Sequence, residues 1–161
     1  MNKKFDIIVY GATGFTGSLC VKYLKENYSD LRWAIAGRNK EKLDRLAKKL
    51  SLSCPVFVAD CNDVAGLDNI TSQTRVVLTT AGPFHRYGSK LVASCVKNSA
   101  HYVDITGENF WVKQMIDKHH SEAKKKGIRI IPSCGYDSIP SDLGCFFAAK
   151  SFGGEVDSIH S

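Results

Sequence analysis

Gly11-Ala-Thr-Gly14-Phe-Thr-Gly17 follows without a spacer on Phe5 to Tyr10, a short run of β-branched and aromatic residues, FDIIVY. A strand that empties into glycines at this spacing, and then into a helical pattern, opens a dinucleotide-binding βαβ unit. Each glycine has its own physical task. Gly11 permits the tight turn off the strand, Gly14 lets the backbone approach a pyrophosphate, and Gly17, lacking a Cβ, lets the helix pack against the sheet. Amides at the helix start then face the phosphates. The spacing is GxxGxxG, one residue longer than GxGxxG between its first two glycines, so the context downstream has to carry the rest.

That context alternates strand and helix along the chain. Leu19, Cys20, Tyr23 and Leu24 recur at helical spacing and predict a first helix of about three turns. Leu31 to Ala36 reads as the second strand, and Leu43, Leu46, Ala47 and Leu50 mark the next helix. Pro55 to Ala59 predicts a third strand, Val64 to Ile70 a short helix, and Arg75 to Thr80 a fourth strand running into the turn Ala81-Gly82-Pro83-Phe84. Leu91, Val92, Cys95 and Val96 give a helix, and His101 to Asp104 a fifth strand. A long helix follows from Glu108 to Lys125, stopped by Gly127, and Ile128 to Pro132 is the sixth strand. The expectation is an α/β fold, a Rossmann-type doubly wound parallel sheet in the order 3-2-1-4-5-6. Ser133 to Asp142 reads as a loop, Leu143 to Lys150 as a short helix, and Gly154 to Ser161 as the start of a strand. Residues 1–150 are thus expected to form the nucleotide-binding domain, and 151–161 to begin a truncated second domain.

Length and composition narrow the function. A chain of 161 residues suffices for one α/β domain but not for a full substrate domain as well. Net charge is +6, yet the basic residues lie along helical patterns such as Lys40-Glu41-Lys42, Lys48-Lys49 and Lys124-Lys125-Lys126. These read as solvated helix faces; no aromatic and basic interleaving accompanies them, and no nucleic-acid partner is expected. The six cysteines contain no CxxC pair, so no metal site is expected. Cysteines that pack as small hydrophobes suit a cytoplasmic or other reducing intracellular compartment. No signal peptide or membrane span is read in this segment, and His119-His120, in a lysine-rich helical stretch, reads as exposed.

In an open α/β sheet the ligand lies beyond the carboxyl ends of the strands where their order reverses, here between the first and the fourth. Arg38 stands after the second strand, where an acid that binds the ribose 2′-hydroxyl of NAD usually stands. A guanidinium pairs with a 2′-phosphate and stacks on adenine, so NADP is the expected cofactor over NAD. Asp60 ends the third strand and either reaches the adenine edge or caps the helix that begins near Asp63. The Ala81 to Phe84 turn offers small, closely approaching backbone for the ribose and nicotinamide. Catalytic residues are not assigned: Tyr136, Asp137, Tyr87, Glu108 and His85 are within range, each with a structural explanation of its own. No Tyr-x-x-x-Lys pair occurs, so the acid-base pair of short-chain dehydrogenases is absent.

In their order and spacing, GATGFTG, AGRNKEKL, TTAGPFHRYGSKLVASC, YVDITGE and CGYDSIPSDLG resemble the amino-terminal part of the saccharopine dehydrogenase-like oxidoreductases, which include the trans-acting enoyl reductases. By this resemblance the cofactor residues are Gly11, Thr13, Gly14, Phe15, Thr16, Gly17, Arg38 and the turn Ala81, Gly82, Pro83 and Phe84. It implies an NADP-binding domain of an enzyme that transfers hydride between a nicotinamide cofactor and a C=N, C=C or C=O group of a small-molecule substrate. It also implies a second domain, missing here, that holds the substrate, so the 161-residue chain is expected to be inactive alone. The alternative is a non-catalytic nucleotide-sensing or scaffold protein on the same fold. Attachment to a membrane or lipid surface through the missing region is a third reading, and the apolar end with Phe146, Phe147 and Phe152 offers a face for that missing domain or for a homodimer.

Overall fold

The computed structural model describes residues 3–159. In chain order its elements are β1 (Phe5–Tyr10), α1 (Phe15–Asn27), β2 (Trp33–Gly37), α2 (Lys40–Lys49), β3 (Val56–Val58), α3 (Val64–Gln73) and β4 (Thr74–Thr79). They continue with α4 (Phe84–Tyr87), α5 (Ser89–Lys97), β5 (His101–Asp104), α6 (Asn109–Lys126), β6 (Ile130–Ile131) and α7 (Ile139–Phe152). The strands form one sheet in the order β3-β2-β1-β4-β5-β6, every neighbouring pair parallel. This is the doubly wound Rossmann-type fold that the alternating pattern predicts.

A parallel strand in the middle of such a sheet is covered on both faces and therefore reads as a nearly unbroken apolar run. Ile8, Val9 and Tyr10 of β1 are all buried, as are Ala34, Ile35 and Ala36 of β2. Val9, Ile35, Val21, Leu24 and Leu43 make the core on the α1 and α2 side. Ile8, Val77, Tyr102, Leu67, Leu91, Val92, Cys95 and Trp111 belong to the larger core on the α3, α5 and α6 side. Helix ends follow their chemistry. Asn39 caps α2 by accepting from the Lys42 amide, and Asp63 caps α3 by accepting from Gly66. α6 ends at Gly127, whose φ of 65° lies in the left-handed region, after three lysines that complement the helix dipole.

Three expectations need correction, and α1 shows which of its apolar residues meet the core. α7 begins at Ile139 rather than Leu143, because Pro140 can occupy the first helical turn, and it runs through residue 150 to Phe152. Residues 154–159 form no strand, and residues 160 and 161 lie outside the described residues. In α1 the buried side is Gly17, Val21 and Leu24, whereas Leu19 and Tyr23 stay exposed beside a groove that Ile7, Leu31 and Leu78 also line. His119 is only 8% exposed, since it shares the inward face of α6 with Trp111 and Ala123; His120 faces outward as expected.

Candidate functional site

The sheet reverses its order between β1 and β4, and a crevice of ≈ 220 Å³ opens there, lined by Gly11, Thr13, Gly14, Arg38, Asp60, Ala81 and Gly82. Closed ligand sites span about 300–1,000 Å³, so these residues supply only part of a dinucleotide's enclosure. Tyr10, Gly37, Cys61 and Thr80, not expected as cofactor residues, complete the lining with Tyr87 of α4, which the sequence offered only as an unassigned candidate. The signal for them was adjacency, since Tyr10, Thr80 and Cys61 each border a residue already implicated at a strand end.

The glycine loop is held from below. The Gly11 and Ala12 amides both donate to the Ala36 carbonyl, and the Gly14 amide donates back to Gly11. Gly11 has φ of 82°, and a Cβ there would lie 3.0 Å from both the Cβ and the amide nitrogen of Ala81. A Cβ on Gly17 would lie 2.2 Å from the Gly11 carbonyl oxygen and 2.8 Å from the Thr80 hydroxyl. The close approach at Gly17 is therefore between the helix and the turn that precedes it, with the end of β4 behind.

α1 itself starts bare. Gly14 is its N-cap residue and offers no side chain, in contrast to Asn39 and Asp63 on the next two helices. The first-turn amides of a helix have no acceptor within it, and their partial positive charge suits an anion. Phe15 and Thr16 open this turn, Phe15 almost wholly exposed.

At the other end of the crevice Arg38 is exposed and stands beside Asp60. The Asn62 amide, donating to Asp60 at 2.9 Å, does most to hold the Asp60 carboxyl below its usual range; burial opposes this, and Cys61 and the Arg38 guanidinium add to the lowering. Asp60 thus shapes the turn into α3, and the capping expected of it is done by Asp63. Burial pushes the Tyr10 phenol well above its usual range, and its hydroxyl donates to the Ala59 carbonyl at 3.1 Å, tying β1 to the end of β3.

The loops after β4, β5 and β6 are laced together by two carboxylates. Glu108 accepts from the amides of Phe84 at 2.7 Å and His85 at 2.8 Å, and its Oε2 lies 2.6 Å from the His85 ring Nδ1. Burial works to raise this carboxyl, but those amides and the ring outweigh it and hold it below the usual range. Asp104, 1% exposed, accepts from the Tyr102 hydroxyl at 2.7 Å, the Thr106 amide at 2.9 Å and the Ser133 amide at 3.0 Å. Here burial prevails and its carboxyl is raised. Pro83 precedes α4, and Phe84 is buried with its ring 5.9 Å from that of Trp111. Tyr136 and Asp137 are exposed in the segment before α7. Among the described residues no group of three His, Cys, Asp or Glu side chains could hold a metal ion, and no helix is long and apolar enough to cross a membrane. None of the six cysteines is in a disulfide.

A doubly wound sheet, an uncapped helix start and an arginine at the second strand end define a dinucleotide-binding domain. Residues 7–131 match the saccharopine dehydrogenase NADP-binding domain, and the chain belongs to that oxidoreductase family. A trans-acting enoyl reductase of Mycobacterium leprae is 42% identical over 147 residues, which cover 89% of this chain and 35% of that protein. A lipid droplet localized protein of Caenorhabditis elegans is 38% identical over 167 residues, covering 98% of this chain and 39% of that one. The chain therefore spans little more than a third of the length of these relatives. Among solved structures, apo saccharopine dehydrogenase (L-Glu forming) of Saccharomyces cerevisiae superimposes with a TM-score of 0.77 at 18% identity, over 91% of this chain and 31% of that one. The triphenylmethane reductase of a Citrobacter species, solved with NADP(H), gives 0.61 at 18% identity over 79% of this chain and 48% of its own. At such identities the likeness is one of fold.

Proposed function

We infer that this chain binds NADP(H) in the β1–β4 crevice and serves an enzyme that reduces a C=N, C=C or C=O group. The observation that carries the reading is the pairing, across one crevice, of the bare α1 start with the exposed Arg38. The first-turn amides of α1 would take the diphosphate, and Arg38 the 2′-phosphate through charge-assisted hydrogen bonds. Tyr10, Thr80, Ala81 and Gly82 would bound the path between them. The bound dinucleotide supplies a hydride; this chain's residues supply affinity and orientation. Among the three bond types, an enoyl C=C draws support from the names of the mycobacterial relatives. The small volume of the crevice supports a further domain closing over the substrate, since hydride transfer needs the reacting atoms held together with water excluded.

Fluorescence titration with NADPH and NADH tests this reading. NADPH should bind tighter, and Arg38→Ala should weaken NADPH by roughly 10- to 100-fold while leaving NADH nearly unchanged, the scale of one or two charged hydrogen bonds. Equal affinity for the two dinucleotides would remove the role given to Arg38.

A second reading adds to the first. Helix α7 buries none of its 14 residues, and Phe146, Phe147 and Phe152 are all exposed. With a relative named for lipid droplets, this supports contact with a lipid surface. Flotation of the chain with triolein droplets coated in phosphatidylcholine should be lost on Phe146→Glu with Phe147→Glu; flotation unchanged by that pair would reject it.

A further inference from the structure

We propose that His85 is the proton donor of the reduction and that Glu108 is the positioning residue that orients its ring. This deepens the function proposed above and rests on its placing NADP(H) across the crevice.

Location comes first. A doubly wound sheet binds a dinucleotide with one mononucleotide on each half, so the nicotinamide belongs to the β4–β6 half when Arg38 and Asp60 hold the adenosine. α4 leaves the carboxyl end of β4 directly after the crevice residues Ala81 and Gly82, and His85 is its second residue. Glu108 leaves the end of the neighbouring β5, whose Asp104 is paired in register with Thr79 of β4. The pair thus stands at the strand ends of the nicotinamide half.

Geometry fixes the proton. A carboxylate can only accept hydrogen bonds, so the 2.6 Å contact between Oε2 of Glu108 and Nδ1 of His85 requires the hydrogen on Nδ1. That leaves Nε2 as the atom that gains and loses a proton, the division of labour a carboxylate imposes on a histidine wherever it orients one. The ring is further held against Phe110, with centroids 5.6 Å apart, and remains partly open to solvent. A mere cap on α4 would need only the Phe84 and His85 amides; the ring contact is additional. Behind Glu108, Asp104 and Tyr102 of β5 lie close enough to feel its charge, and Arg86 is the next residue on α4.

The chemistry balances. Reducing a double bond takes two electrons and one hydrogen as hydride from NADPH, plus one proton. The His85 imidazolium gives that proton from Nε2 to the second atom of the former double bond. It is left as the neutral Nδ1–H ring, still bonded to Glu108, and takes its next proton from water.

The test is heteronuclear NMR on the whole 161-residue chain with NADPH as probe and His85→Gln to identify the resonances. Long-range ¹H–¹⁵N spectra should show the neutral His85 ring protonated at Nδ1. Glu108→Ala should return it to the Nε2–H form that free histidine prefers. In the NADPH complex the His85 Hε1 proton should give cross-peaks to nicotinamide H4 or H5. A wild-type ring protonated at Nε2, or a variant that keeps Nδ1–H, overturns the positioning role. If NADPH binds but its nicotinamide protons contact other residues, the His85 assignment falls and the cofactor reading survives. If NADPH does not bind, both fall. The two wild-type spectra decide the matter even if Glu108→Ala fails to fold.

Discussion

Replacing Gly17 and Gly14 by alanine, one at a time, separates packing from ligand approach within a single motif. A Cβ at Gly17 would sit 2.2 Å from the Gly11 carbonyl oxygen, well inside the 3.0 Å that real Cβ atoms respect. The oxygen cannot retreat cheaply, because it accepts from Gly14 while the Gly11 amide is tied to Ala36. Overpacking of this kind costs about 1–3 kcal/mol, and this site belongs at the upper end. Alanine returns about 1 kcal/mol of helix propensity, so the net loss is about 2 kcal/mol. At this chain length that is a fall in Tm of roughly 4–8 °C, read by circular dichroism. At Gly14 the nearest atom to a new Cβ is 3.4 Å away and φ is −71°, so alanine fits the free protein. Losing a glycine cap there costs well under about 1 kcal/mol. The methyl would instead project where the diphosphate approaches, and NADPH affinity should drop by about tenfold or more. A Gly17→Ala protein as stable as the wild type, or a Gly14→Ala protein that binds NADPH normally, would refute this division of roles.

Other substitutions probe the scaffold around the crevice. Asp68 takes hydrogen bonds from Lys97 and Ser94, each at 2.5 Å, and chiefly these hold its carboxyl below the usual range. A depressed carboxyl stabilises the fold above its unfolded pKa of about 3.9, and that contribution is lost as pH falls through the folded value. Asp68→Asn should therefore lower Tm at pH 7 and converge with the wild type near pH 2; a gap that persists at low pH would rule out ionisation as its source. Asp104→Ala leaves three donors without their acceptor, and should cost about 2–3 kcal/mol in urea unfolding. A loss below about 0.5 kcal/mol would mean that Asp104 does not lace β5 to the segment after β6.

The sheet order and five of the helices were legible because strand and helix periods alternate cleanly between turn residues. β5 was legible to the residue, since His101 to Asp104 stands between Ala100 and a loop. The short β6 was not, because Ile128 to Pro132 reads as one run in which Ile128 resembles Ile130 and Ile131, while only the latter two are in register with β5. The helix α1 was legible but its buried side was not: Leu19 and Tyr23 are apolar at helical spacing like Leu24, yet face a groove instead of the sheet's core. Arg38 could be placed from its distance to the glycines alone. The Glu108 and His85 contact could not, because residues 23 apart in sequence meet only through the pairing of β4 with β5.

The most direct test of the whole account is a crystal structure of this chain with NADP⁺. It should place diphosphate oxygens on the first-turn amides of α1, the 2′-phosphate against the Arg38 guanidinium, and the nicotinamide over the carboxyl ends of β4 and β5. A dinucleotide bound elsewhere, with those amides hydrated and Arg38 turned to solvent, would contradict it.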